Sequence, residues 1–190
     1  MSGLKLFMVL LGCKPEGRHV EQHDVFFGIA TSLKELAGEM EAFWPDSGKL
    51  HIDAWREVTV VEGFQIQVVA VDKSEAPGEG RKNKLFFINL GGYQPFRFEE
   101  QHYMLLTIKS DKASAIKEAK KTLFFQTNHS PGASSHIDDK YGIDVDELYE
   151  IEEILPPTQR GKFRINISLN DKLDADEIHL GYLKMSLLKK

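Results

Sequence analysis

The sequence predicts an α+β protein of two tandem ββαββ repeats, each an antiparallel sheet with helices packed on one face, related by a pseudo-twofold. Three observations predict it. Residues 6–29 (LFMVLLGCKPEGRHVEQHDVFFGI) fall without a gap on residues 85–108 (LFFINLGGYQPFRFEEQHYMLLTI), a shift of 79. Nine of the 24 aligned positions are identical: Leu6/Leu85, Phe7/Phe86, Leu11/Leu90, Gly12/Gly91, Arg18/Arg97, Glu21/Glu100, Gln22/Gln101, His23/His102 and Ile29/Ile108. Chance at average residue frequencies gives about one or two. Each aligned stretch is then followed by a helical pattern and two further strand patterns. Finally, the Pro/Gly/charge-rich SEAPGEGRKN (74–83) reads as a linker between the copies. These set copy one at 4–72, a linker at 73–83, copy two at 84–170, and an extension without counterpart at 171–190.

Within each copy the elements follow from pattern. The opening strand (4–11; 85–90) is apolar on both faces, as a central strand requires. A Gly-led loop follows, then a strand that alternates: Val25, Phe27 and Ile29 share one face, as do Met104, Leu106 and Ile108. Ser32 and Glu35 predict a capping box for a helix whose apolar stripe is Leu33, Leu36, Ala37, Met40 and Phe43. Trp44-Pro45 predicts its end. In copy two, Ser110 or Asp111 caps a stripe of Ala113, Ile116, Ala119 and Leu123. A strand containing His-Ile-Asp (51–53; 136–138) comes next, and a last strand holds Phe64, Ile66 and Val68, or Phe163, Ile165 and Ile167. Copy two adds DVDELYEIEEIL (144–155), expected to be a short helix running into a strand; residues 176–188 fit strand or helix equally. Strands apolar on both faces need more cover than one helix, so the copies are expected to pack against each other.

Composition narrows the function. With 24 Lys and Arg against 29 Asp and Glu, the formal net charge is −5. A nucleic-acid binder needs a positive face to displace counterions, so no nucleic acid is expected as partner. No run approaches 18 apolar residues, so no membrane span is expected. The single cysteine, Cys13, allows no internal disulfide and points to a reducing, cytoplasmic compartment. Leu6–Cys13 resembles a lipoprotein cleavage box, but its apolar run is short and the pattern recurs at 85–91 in mid-chain, so it is read as a core strand.

Residues able to carry chemistry come in repeated pairs. Glu21 with His23, and Glu100 with His102, are two apart on a strand and share a face; so do His51 with Asp53, and His136 with Asp138. Two such strands side by side would gather two imidazoles and two carboxylates, a set suited to a divalent metal or to general acid–base work. His23 and His102 lie on the strand face whose next three members are apolar, where a rim imidazole bonded to a carboxylate or a backbone carbonyl needs no functional role. Arg18 and Arg97, on loops led by Gly12 and Gly91, suit an anion cradle, although a plain turn with Arg–Glu pairing explains them as well. Cys13 beside an apolar strand, opposite Gly92 in the alignment, reads as a small core residue rather than a nucleophile.

The stretches LFMVLLGCKPEGRHVEQHDVFFGIA, HIDAWREV and HIDDKYGIDVDELYEIEEIL resemble the bacterial domain of unknown function 1543, over most of residues 5–155. That resemblance implies a small bacterial cytoplasmic protein with one or two copies of the domain. It brings no substrate, cofactor or catalytic residue.

Three functions remain open from the residues. The first is a non-enzymatic binding module for a small ligand or divalent metal at the Glu/His and His/Asp clusters, which requires His23 and His51 to meet. The second is a structural protein, homodimeric in that reading, with these residues as hydrogen-bond networks at the core rim. The third is an enzyme using His136, Asp138 and Asp139 of copy two.

Overall fold

The computed structural model describes residues 3–71, 82–93, 96–122 and 143–189, the backbone alone at 143–146. The linker segment 72–81 and the segment 123–142, with His136, Asp138 and Asp139, lie outside the described residues. By contact the chain divides into two units, residues 1–75 with 154–190, and residues 76–153.

In the first unit, β1 (Lys5–Cys13) and β2 (Gln22–Ala30) form an antiparallel pair, and β3 (His51–Glu57) joins the other side of β1. A late strand, β10 (His179–Lys184), adds outside β3, giving the order β10-β3-β1-β2. One face of β1 carries Phe7, Val9, Leu11 and Cys13. They are buried with Leu33, Leu36, Ala37 and Met40 of the helical segment between β2 and β3. That segment is a 3-10 turn (Leu33–Leu36) continuing into α1 (Ala37–Phe43), and it ends before Trp44-Pro45 as expected. Its cap differs from the expected box. Ser32 makes no side-chain cap bond, and Glu35 instead bonds the backbone N–H and hydroxyl of Thr31, at 3.0 and 2.7 Å. Those bonds hold the Glu35 carboxyl below its ordinary value.

A second sheet of this unit runs β4-β5-β9, with β4 (Val60–Val61), β5 (Phe64–Ala70) and β9 (Phe163–Leu169). The last strand expected of copy two therefore pairs with the last strand of copy one. Residues 154–170 belong with the first unit. The pairing is symmetric: Phe64 faces Leu169, Phe163 faces Ala70, and Gln67 faces Asn166 at the centre. The segment 176–188 resolves into both predicted alternatives, β10 followed by a helical turn at Met185–Leu188.

The second unit has the order β7-β6-β8, from β6 (Lys84–Gly92), β7 (Gln101–Lys109) and β8 (Ile143–Glu150). Its helix α2 (Lys112–Ala119) packs Ala115 and Ala119 on Phe86, Ile88 and Leu90. Asp111 is its N-cap, accepting from the Ser114 N–H at 2.8 Å, and the hydroxyl bond from Ser110 is the largest cause of its lowered carboxyl pKa. The acidic segment runs opposite to expectation, strand first and then a helical turn at Ile151–Ile154.

Register relates the two three-stranded sets. Lys5 pairs with Ala30 and Gly12 with His23; Lys84 pairs with Lys109 and Gly91 with His102, the same pairing shifted by 79. The third strands match as well. β3 on β1 and β8 on β6 each break register once, between Leu10 and Leu11 and between Asn89 and Leu90. The ion pair Lys5–Glu57 (2.7 Å) is matched by Lys84–Glu150 (2.7 Å). In this register His51 faces Gly12 while Asp144 faces Gly91, so Asp144-Val145-Asp146 holds the strand positions of His-Ile-Asp at 51–53, and residues 136–138 lie outside the described residues.

No helix among the described residues is long and apolar enough to cross a membrane.

Candidate functional site: a histidine–carboxylate cluster over Gly12

Gly12 lies near the end of β1, with His23 of β2 opposite on one side and His51 of β3 on the other. Cross-strand partners share a face, so both imidazoles rise over the same glycine. Asp53 is the extra residue where β3 slips against β1, and a bulge re-aims its side chain. Glu21, just before β2, completes the group.

Four side chains meet here. His23 Nε2 is 3.1 Å from Asp53 Oδ2 and 4.0 Å from Glu21 Oε2. His51 Nε2 is 3.1 Å from Glu21 Oε1 and 3.3 Å from Asp53 Oδ1. The cluster is lopsided in exposure: the His51 side chain is 4% exposed, Asp53 26%, and His23 and Glu21 43% and 46%. One wall is therefore fixed and buried, the other free to turn in solvent.

His51 is held on three sides. Its Nδ1 is 3.1 Å from the Lys49 carbonyl, which only accepts, so Nδ1 carries a proton. The Tyr182 ring of β10 lies against the imidazole, centroids 4.3 Å apart. Beneath it, Gly12 leaves no room: a Cβ there would collide with Asp53 Oδ2 and stand 2.6 Å from His51 Nε2. With Nδ1 protonated, a neutral His51 turns the Nε2 lone pair toward two anionic oxygens. His51 Nε2 and Asp53 Oδ2 are both buried, and despite the short distances neither makes a hydrogen bond of acceptable angle. A positive charge, a proton or a cation, is what this geometry lacks.

The donor separations of 3.1–4.0 Å bracket the edge of roughly 3.3 Å found in a tetrahedron with metal bonds near 2.0 Å. As the side chains stand, no group of three or more His, Cys, Asp or Glu among the described residues is disposed to hold a metal ion. Seating one requires the half-exposed Glu21 and His23 to rotate.

The corresponding place in the second unit differs. His102 Nε2 is 3.8 Å from Glu100, and the Asn89 amide, at the register position that Leu10 holds in the first unit, reaches Glu147 at 2.8 Å and His102 Nδ1 at 3.3 Å. Asp144 occupies the position of His51 in the register. The remaining expected residues stay apart. Arg97 is 3.9 Å from Glu99, an exposed pair, and Arg18 closes a turn through its backbone N–H to Pro15 O at 3.2 Å. Among the described residues Arg18 makes no ion pair with the cluster. Cys13 is buried among the residues under α1, and burial, then Glu21, pushes its thiol pKa up, which keeps it protonated and a poor nucleophile.

Sequence patterns point to Glu21, His23, His51 and Asp53, and to Gly12 only as the head of a loop; they do not point to Lys49 or Tyr182. Gly12 read as a strand end, and no local pattern says which carbonyl or ring will face a given imidazole.

Residues 18–68 match the family model described as Domain of Unknown Function (DUF1543). No curated protein matches the chain. Among solved structures, the crystal structure of a protein Il1583 from Idiomarina loihiensis is similar, with a TM-score of 0.62 and 18% identity over 96% of this chain and 98% of that one. At that identity the likeness carries the fold alone.

Proposed function

We propose that the chain is a duplicated bacterial member of this family and a non-enzymatic binding module, whose ligand is a divalent cation taken up by Glu21, His23, His51 and Asp53. The single observation that supports it is His51: a buried imidazole with its Nδ1 committed to a carbonyl and its Nε2 unsatisfied among carboxylate oxygens. A backbone carbonyl on the far nitrogen is how metal-binding histidines are oriented. Two imidazoles with two carboxylates suit zinc or manganese better than a soft or an all-oxygen-preferring ion.

A second reading has its own support, since the side chains as placed form no ready metal cage. In it, the four residues are a closed polar network at the core rim, complete without a cation. The two readings differ in sign at Asp53. In the cation reading the metal-free protein holds unbalanced negative charge, so Asp53→Asn leaves its stability unchanged or raises it. In the network reading the same change weakens the group that both imidazoles face and lowers stability by about 1–3 kcal/mol.

The test is thermal melting of chelator-stripped protein with and without Zn²⁺ or Mn²⁺. The expected result is saturable stabilisation at one ion per chain, about 2.7 kcal/mol when free metal is 100 times its Kd, and its loss in His51→Ala. No stabilisation by either ion, together with a destabilised Asp53→Asn, would overturn the cation reading and leave the network.

A further inference from the structure

Beside the cluster, with Tyr182 on its lining, a groove of about 630 Å³ runs between the loop after α1 and the end of β10. Its size is that of a site for a small organic molecule. Trp44 and Tyr182 present aromatic rings to it, and Leu50 and Met185, both buried in the core under α1, line it as well. The groove is therefore flat-walled and apolar below.

Its charges are unevenly spent. Glu41, on the lining, is already taken by Lys189 at 2.6 Å. Lys49 and Lys184 also line the groove, and neither ammonium has an ion-pair partner among the described residues. Asp46 is the remaining acid on the lining, held at φ 61 in the tight loop that ends with Gly48 at φ 71. Two uncommitted cations against one acid leave the groove with a net positive charge, in a chain whose formal charge is −5. An excess of cation over an apolar slot selects a molecule with an anionic end and a flat apolar body.

We propose that this groove binds a small organic anion with a planar apolar body, its anionic group between Lys49 and Lys184 and its ring between Trp44 and Tyr182. The site shares Tyr182 with the surroundings of the histidine cluster, and Lys49 through its carbonyl, but none of the cluster's four polar side chains, so it stands whether or not that cluster takes a cation.

The experiment is titration calorimetry of the intact, chelator-stripped chain with naphthalene-2-carboxylate, and with its neutral carboxamide, at low salt. Saturable binding of the acid at one per chain is expected, with the amide at least about tenfold weaker. In the Lys49→Gln/Lys184→Gln double variant the acid should fall to the affinity of the amide, because the charge-assisted contacts are gone. Both lysines are exposed, so the variant should melt at the wild-type temperature, which separates lost binding from lost folding. Absence of saturable heat, equal affinity for acid and amide, or a double variant that still prefers the acid would overturn the proposal.

Discussion

Gly12 and Gly38 make opposite demands on the same methyl group. At position 12 a Cβ meets Asp53 Oδ2 and His51 Nε2, and the His51 ring is trapped by the Lys49 carbonyl and Tyr182 and cannot retreat. At position 38, inside α1, a Cβ meets nothing within 4 Å. Gly12→Ala is thus expected to cost about 1–3 kcal/mol through overpacking. Gly38→Ala should gain roughly 0.5–1 kcal/mol by restricting the unfolded chain and favouring the helix. Urea denaturation of the two variants checks both, and a Gly12→Ala protein as stable as wild type would mean that His51 is not fixed. The chemistry at this scale was half legible. Glu21 with His23 and His51 with Asp53 stand out because two-residue spacing places each pair on one face. Their meeting over a glycine depends on strand register, which no local spacing encodes.

At the scale of the element, β2 shows how an edge strand is finished. Gln159, buried, lays its amide along the strand: Oε1 accepts from the Ile29 N–H at 2.8 Å and Nε2 donates to the Ile29 carbonyl at 2.9 Å. The side chain makes the two bonds a neighbouring strand would make, where pairing with another chain would otherwise begin. Removing it leaves two buried backbone groups unpaired, so Gln159→Ala is expected to lower stability by about 2–4 kcal/mol. The readout is a shifted denaturant midpoint with unchanged slope, and a loss under roughly 0.5 kcal/mol would show that water replaces the amide. Nothing in the pattern around Gln159 announces this role, because its partner lies 130 residues away. The Asp111 cap was legible, its partner Ser114 being three residues on. The reversal at 144–155 has a physical cause too. The register slip after Val145 breaks the two-residue alternation that marks a strand, leaving a segment that mimics a helix start.

For the whole molecule, the repeat at 6–29 and 85–108 was readable because strand pairs with the same register keep the same apolar positions. The equal placement of both register slips supports the proposed duplication. The repeat did not reveal that the chain returns to its first unit after residue 153, since a strand's partner is chosen by whichever edge is open rather than by its own sequence. That return has a consequence for truncation. Residues 1–76 alone lose β9, which leaves β5 paired only with the two-residue β4. They also lose β10 from the edge of β3, and Gln159 from the edge of β2. Three open edges on a fragment of this size favour aggregation or self-pairing. The fragment is expected to be insoluble or to dimerise. Joining residues 1–75 to 154–190 through about ten Gly/Ser residues, a length that leaves the connection flexible, restores all three partners. The joined chain should give a single cooperative melt by circular dichroism. A well-folded monomer from 1–76 would show that β9, β10 and Gln159 are dispensable, and a joined chain without a cooperative transition would show that residues 76–153 are needed to fold the rest.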